Sequence, residues 1–84
     1  MEVIELARIY KTDIITLKKI MVEKGLDKIN ELSDASGVDR NTLSKIIRGE
    51  AQPSSTVMDK LIKTLELEPE VAGRIFFAEI LRIT

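Results

Sequence analysis

The feature that most restricts the fold is the regular placement of glycine. Gly25, Gly37 and Gly49 each follow a short segment with helical periodicity. Glycine tolerates the left-handed backbone conformation in which helices commonly end, so each position predicts a helix C-terminus. Pro53 fits a loop beyond the last glycine, and Pro69 fits the first turn of another helix. The chain is therefore expected to form a series of short helices.

Five helices are predicted from these signals and from apolar residues spaced three and four apart. Their bounds are 14–24, 29–36, 40–47, 56–65 and 69 to 81 or 83. Thr12 or Asp13 can cap the first helix, and Asp39 can cap the third. The apolar residues of the first four helices are, in order, Ile14, Leu17, Ile20 and Met21; Ile29 and Leu32, with Ser33; Leu43, Ile46 and Ile47; and Val57, Met58, Leu61, Ile62 and Leu65.

Residues 2–11 fit two structures. Val3, Ala7 and Tyr10 continue the helical repeat of the first helix backwards. The same segment is rich enough in branched and aromatic residues to form a strand. We favour a helix only slightly. Both conformations remain open for this N-terminal extension.

Length and composition limit the classes of function. The 84 residues suffice for one domain, which we divide into an N-terminal extension (1–12), a core (13–67) and a C-terminal helix (68–84). The chain has no cysteine, so it has no thiolate nucleophile or thiolate metal site, and it has no histidine, the commonest general base and metal ligand. The N-terminus lacks the features of a signal peptide, and the longest apolar run is too short to cross a bilayer. We expect a cytoplasmic, non-enzymatic protein without cofactor, metal or membrane association.

The net charge of −1 is unusual for a protein that binds nucleic acid. However, residues 40–48 carry three cations and no acid, whereas residues 66–70 carry three acids and no base. Screening confines the field of a charge to roughly 8–10 Å at ordinary salt concentrations. The basic segment can therefore attract a polyanion locally.

Residues 29–49 contain two short helices joined by a turn. Ser33 is small enough to let the helices approach closely, and Leu32, Val38, Leu43 and Ile46 are expected to fix their crossing angle. The opposite side of the second of these helices carries donors and one carboxamide: Arg40, Asn41, Ser44, Lys45 and Arg48. Arginine and lysine can donate to guanine O6 and N7, and asparagine can bridge adenine N6 and N7. The plainer alternative is the solvated polar side that every amphipathic helix has.

This pattern resembles the helix-turn-helix of the XRE, or Cro/CI lambda-repressor-like, regulators. The small residue, the turn glycine and the apolar anchors of that motif match Ser33, Gly37, Val38, Leu43 and Ile46. The resemblance covers roughly residues 14–71 and implies an all-α, five-helix, lambda-repressor-like DNA-binding domain. The chain departs from the family pattern at Ile29, where glutamine is common, and at Glu66, where glycine is common.

The resemblance also implies a function and roles for individual residues. The expected function is a sequence-specific transcriptional regulator of phage or mobile-element type, a repressor that reads the major groove of double-stranded DNA with helix 40–47. Arg48 could instead cap the carbonyls at the end of that helix. Base contacts are expected from Arg40, Asn41, Ser44 and Lys45, and phosphate contacts from Lys28, Thr42 and Arg48.

The C-terminal helix is apolar on most of its sides and is therefore expected to be buried on most of them. It could pack on its own domain. We favour a twofold homodimer interface, because regulators of this family commonly pair to read palindromic half-sites. The expected interface residues are Ile75, Phe76, Phe77, Ile80 and Leu81. The alternative function is an antitoxin or adaptor that uses this helix to bind a partner protein.

Overall fold

The structure, a computed structural model, describes residues 8–81. These residues form five α-helices and one antiparallel sheet of two short strands. The elements are, in chain order, β1 (Arg8–Lys11), α1 (Ile14–Glu23), α2 (Ile29–Ser36), α3 (Arg40–Ile47), α4 (Ser55–Leu65), α5 (Pro69–Phe76) and β2 (Ala78–Leu81). The predicted all-α architecture is confirmed, with the small sheet as an addition to it. The interpretations placed on Val3, Ala7 and Ile83 lie outside the described residues.

The first four helices agree with the sequence prediction to within one residue at each end. The Asp13 carboxylate caps α1, accepting hydrogen bonds from the Thr16 amide (3.1 Å) and hydroxyl (2.8 Å). Ser54 caps α4 by accepting from the Val57 amide at 3.2 Å. Side-chain caps of this kind typically stabilise a helix by about 1 kcal/mol. These short helices are therefore defined by local signals.

The core is aliphatic except for one aromatic ring, that of Phe76. Every helix contributes at least one fully buried side chain, so the helices enclose a single apolar centre. Full burial of one leucine, isoleucine, methionine or phenylalanine side chain stabilises the fold by roughly 1.5–3 kcal/mol. The buried apolar residues are Leu17, Met21, Leu32, Val38, Leu43, Ile46, Leu61, Leu65, Leu67, Ala72, Ile75 and Phe76.

The prediction that the fifth helix continues to residue 81 or 83 is wrong. Helix α5 ends at Phe76, and the backbone leaves the helical conformation at Phe77, where φ is −127° and ψ is 45°. Residues 78–81 then form β2. The partner of this strand lies near the other end of the chain, so the pairing leaves no trace in the local helical periodicity of residues 75–81.

The slight preference for a helix in the N-terminal extension is also wrong for residues 8–11. These residues form β1, which pairs antiparallel with β2 in the register Arg8 with Leu81 through Lys11 with Ala78. Pairing with β2 satisfies backbone groups that a helix would satisfy within itself. Immediately after the strand, the Asp13 amide donates to the Ile75 carbonyl at 2.6 Å, joining the start of α1 to α5.

Candidate nucleic-acid interface

The turn between α2 and α3 is held by hydrogen bonds of two serines. Gly37 adopts the left-handed conformation (φ 80°), and its amide donates to the Ser33 carbonyl at 2.8 Å. The Ser33 hydroxyl donates to the Val38 carbonyl at 2.6 Å. The Ser36 hydroxyl donates to the Leu32 carbonyl at 2.7 Å and accepts from the Val38 amide at 3.1 Å. The sequence predicts for Ser33 only that its small size lets the helices approach closely. The structure adds a hydrogen bond by which Ser33 bridges the turn.

Helix α3 begins with the side-chain cap that the sequence predicts. The Asp39 carboxylate accepts from the amides of Asn41 (3.0 Å) and Thr42 (3.2 Å). A negative charge at this end also interacts favourably with the helix dipole. The first turn of α3, which carries Arg40 and Asn41, is thus fixed by its own sequence.

The two sides of α3 differ as predicted. Leu43 and Ile46 are buried, with exposures of 0% and 1%, and Ile47 packs partly against the core. Of the seven residues expected to touch DNA, two are partly buried, namely Thr42 and Ser44, and five are exposed, namely Lys28, Arg40, Asn41, Lys45 and Arg48. The prediction that Leu43 and Ile46 point inward while the cations of this segment are exposed is therefore confirmed. Contact with DNA stays a prediction.

Arg40 has a partner that the sequence analysis missed. Its Nη1 donates to Oδ1 of Asn30, in the first turn of α2, at 3.1 Å. This contact joins the N-terminal ends of α2 and α3. Lys28 directly precedes α2 and makes no side-chain cap hydrogen bond there. A polar amide at the start of α2 could have pointed to Asn30 from the sequence. It directly follows Ile29, where the family pattern commonly has glutamine.

The Arg48 side chain bonds to Glu50 and not to the carbonyls at the end of α3, so the alternative role as a carbonyl cap is not observed. Its Nε and Nη2 donate to the two carboxylate oxygens of Glu50, at 3.0 and 3.2 Å. Hydrogen bonding and charge from Arg48, with a smaller effect of Lys45, lower the pKa of Glu50, and Glu50 raises the pKa of Arg48. Glu50 lies two residues beyond the basic segment 40–48, so the charge pattern of that segment did not predict its role.

The residues proposed for a dimer interface fall into three groups. Ile75 and Phe76 are each only 1% exposed and belong to the core, so the prediction that they form an interface is wrong. Phe77 is 52% exposed and stays available to a partner. The backbones of Ile80 and Leu81 lie in β2. A partner protein likewise cannot use the buried residues of α5, which was the basis of the adaptor alternative.

The described part of the chain contains no cluster of three or more aspartate, glutamate, histidine or cysteine residues that could hold a metal ion. None of the helices between residues 8 and 81 is both long and apolar enough to cross a bilayer.

Comparison with protein families gives a match that covers the two helices and the turn described above. The family model described as "Helix-turn-helix" matches residues 17–71, which include α2, the turn and α3. Comparisons with curated proteins and with solved structures gave no match. The matched range covers more than half of the chain and contains every residue expected to touch DNA.

Proposed function

Because this chain belongs to the XRE-family helix-turn-helix DNA-binding proteins, which are transcriptional regulators, we propose that it is a repressor of phage or mobile-element type. It recognises its operator through the major groove, and its occupancy of the operator blocks the polymerase. The observation that carries this proposal is the exposed polar side of α3, which rests on a buried apolar side and begins at a capped first turn.

Base reading is assigned to Arg40, Asn41, Ser44 and Lys45. The first two stand in the first turn of α3, and the other two follow one turn later. A bidentate pair between a side chain and the correct base contributes roughly 1–3 kcal/mol of discrimination. Arg40 already donates from one guanidinium nitrogen to Asn30, which limits the directions in which the remaining donors can point.

Phosphate contacts are assigned to Lys28, Thr42 and Arg48. They lie at the start of α2, in the first turn of α3 and at the end of α3, so they would hold the helix at both ends. Contacts of this kind fix the register of a protein on the duplex without reading its sequence. The Glu50 carboxylate has to move aside before Arg48 can donate the same hydrogen atoms to a phosphate.

A homodimer remains part of the proposal, with a corrected interface. Phe77 and Tyr10 are 52% and 48% exposed, and their rings pack edge to face with centroids 6.2 Å apart. Tyr10 lies in β1 and Phe77 directly precedes β2. The sheet has only two short strands, and such a sheet is marginally stable on its own. A second copy docking at this aromatic pair would cover it. The dimer would present two copies of α3 to half-sites about one helical turn apart.

Operator selection from a random duplex library, followed by binding of alanine variants, tests the proposed function. We expect Arg40→Ala and Lys45→Ala to lose about 1–3 kcal/mol of binding free energy and to relax the preference at one base pair each. Lys18→Ala is the matched control, because Lys18 is an exposed cation on a different helix, α1.

Loss of selectivity in the α3 variants, with the control unchanged, is the expected result. If both α3 variants kept the wild-type affinity and the wild-type preference, the assignment of base reading to this helix would be wrong. If the selection enriched no sequence at all, the repressor proposal would be wrong as well.

A further inference from the structure

Helix α3 ends in a paired hydrogen-bond motif that fixes the residue after it. The Gly49 amide donates to the Ile46 carbonyl at 3.0 Å, and the Glu50 amide donates to the Lys45 carbonyl at 2.8 Å. Gly49 is left-handed, with φ 77°. This is the Schellman arrangement, in which two backbone bonds close the last turn of a helix. The backbone of Glu50 is therefore held against the end of α3.

Helices α1 and α4 end in the same arrangement. After α1, the Leu26 amide donates to the Met21 carbonyl at 2.8 Å, and after α4 the Leu67 amide donates to the Ile62 carbonyl at 2.9 Å. Both pairs are apolar, and all four residues belong to the core or pack against it. The Schellman arrangement is commonly accompanied by an apolar contact between the two residues that such a backbone bond joins.

At the end of α3, the same two positions hold opposite charges, Lys45 and Glu50. Both side chains are exposed. The Glu50 carboxylate also receives the two hydrogen bonds from Arg48 described above. The carboxylate thus pairs with one cation that the proposed function assigns to DNA, Arg48, and feels the charge of a second, Lys45. It is the one acid between residues 40 and 58.

We propose that Glu50 is an intramolecular counter-anion that competes with DNA phosphate for Arg48 and thereby restrains the sequence-independent affinity of the protein for DNA. The inference rests on the proposed function. A carboxylate and a phosphate both accept two parallel hydrogen bonds from a guanidinium group, so the two anions compete for the same donors. Exposed ion pairs are weak and screened by salt, so a phosphate can displace the carboxylate.

Salt dependence gives this competition a measurable signature. Each phosphate that a protein cation neutralises releases counterions and steepens the slope of log affinity against log salt by about 0.9. While Glu50 neutralises Arg48, that contact contributes less than a full phosphate to the slope. Replacing the carboxylate by a neutral amide removes the competing charge, and the backbone bond from residue 50 to Lys45 is kept.

The experiment measures binding of Glu50→Gln to a short generic duplex over a series of salt concentrations. We expect affinity at low salt to rise about two- to fivefold, as for one weak exposed ion pair, and the slope to steepen by up to about 0.9. In an Arg48→Ala background, the gain from Glu50→Gln should shrink.

Glu66→Gln is the matched control. It makes the same change in net charge and also releases a cation, because Glu66 pairs with Lys24 at 3.1 Å. Glu66 lies between α4 and α5, away from the end of α3 in the chain. We expect Glu66→Gln to leave both the salt slope and the affinity for the duplex close to the wild-type values.

The outcomes separate the inference from the function on which it rests. If the wild type binds with a steep salt dependence and Glu50→Gln matches it, the inference is overturned and the proposed function stands. An equal effect of Glu66→Gln overturns the inference too, because net charge alone would then explain the gain. Absence of binding by every variant and by the wild type overturns both.

Discussion

At the scale of single residues, Asn30 connects the two helices of the motif through one hydrogen bond. Arg40 is a long side chain that would otherwise sample many rotamers, and holding it in advance reduces the entropy lost on binding. The acceptor is an amide oxygen, so Arg40 is oriented without being neutralised. Asn30 therefore acts on base reading by positioning Arg40.

We predict that Asn30→Ala weakens operator binding. The free energy of unfolding should hardly change, because Asn30 and its hydrogen bond to Arg40 are exposed to solvent. A double-mutant cycle with Arg40→Ala provides the measurement. If Asn30 acts through Arg40, its substitution costs less binding energy once Arg40 is alanine. Fully additive losses would show that the two residues act independently.

The site could be predicted from the sequence only in part. The exposed positions of α3 follow from the apolar spacing of Leu43 and Ile46, which is a local pattern. The partners Asn30 and Glu50 could not be derived in the same way. Asn30 is ten residues away from Arg40 in the chain, and the Glu50 contact depends on how the backbone turns at Gly49.

At the scale of elements, the predictable helices are those whose start and end are written locally. Helices α2 and α3 combine a capping residue or a left-handed glycine with an apolar stripe, and the structure reproduces their bounds. The segment 77–81 carries no such stop signal. Its strand depends on β1, which precedes it by more than 60 residues, so local periodicity favoured a longer helix.

The start of α1 should be sensitive to acid. Hydrogen bonds from the Thr16 hydroxyl and amide lower the pKa of Asp13 below its ordinary value of 3.8. A lowered pKa means that the folded chain binds protons less readily than the unfolded chain. The stabilisation by Asp13 is therefore present above pH 3.8 and is lost as the pH falls through the folded-state pKa.

We predict that Asp13→Asn is less stable than the wild type near neutral pH and that the difference shrinks as the pH falls below 3.8. Asparagine retains a side-chain oxygen for the cap but lacks the charge. Urea unfolding of both proteins at several pH values gives the comparison. A difference in unfolding free energy that stayed constant over the whole pH series would contradict this account of the cap.

At the scale of the whole molecule, the charge is distributed unevenly. A net charge of −1 would suggest little affinity for DNA, yet the cations of residues 40–48 are exposed and the acids of residues 66–70 lie in another part of the chain. Affinity for a polyanion depends on the local surface as well as on the sum. The acidic sum is thus compatible with the DNA-binding function of the family.

We predict that Phe77→Ala lowers the association of two copies, because Phe77 is half exposed beside the two-stranded sheet. Ile15→Ala is the control, since Ile15 is an apolar residue on α1 that is 73% exposed. Sedimentation at several concentrations should show a dimer for the wild type and for the control, and a larger dissociation constant for Phe77→Ala. A wild type that stays monomeric at all concentrations would reject the dimer.

The central claim is that the exposed side of α3 meets the duplex, and mapping of amide chemical shifts during titration with operator DNA tests it most directly. We expect the largest changes at the amides of α3 and of the first turn of α2. The amides of Ile15 and Val22, whose side chains are exposed on α1, should change little. The largest changes along α1 or the sheet, with α3 unaffected, would contradict the account.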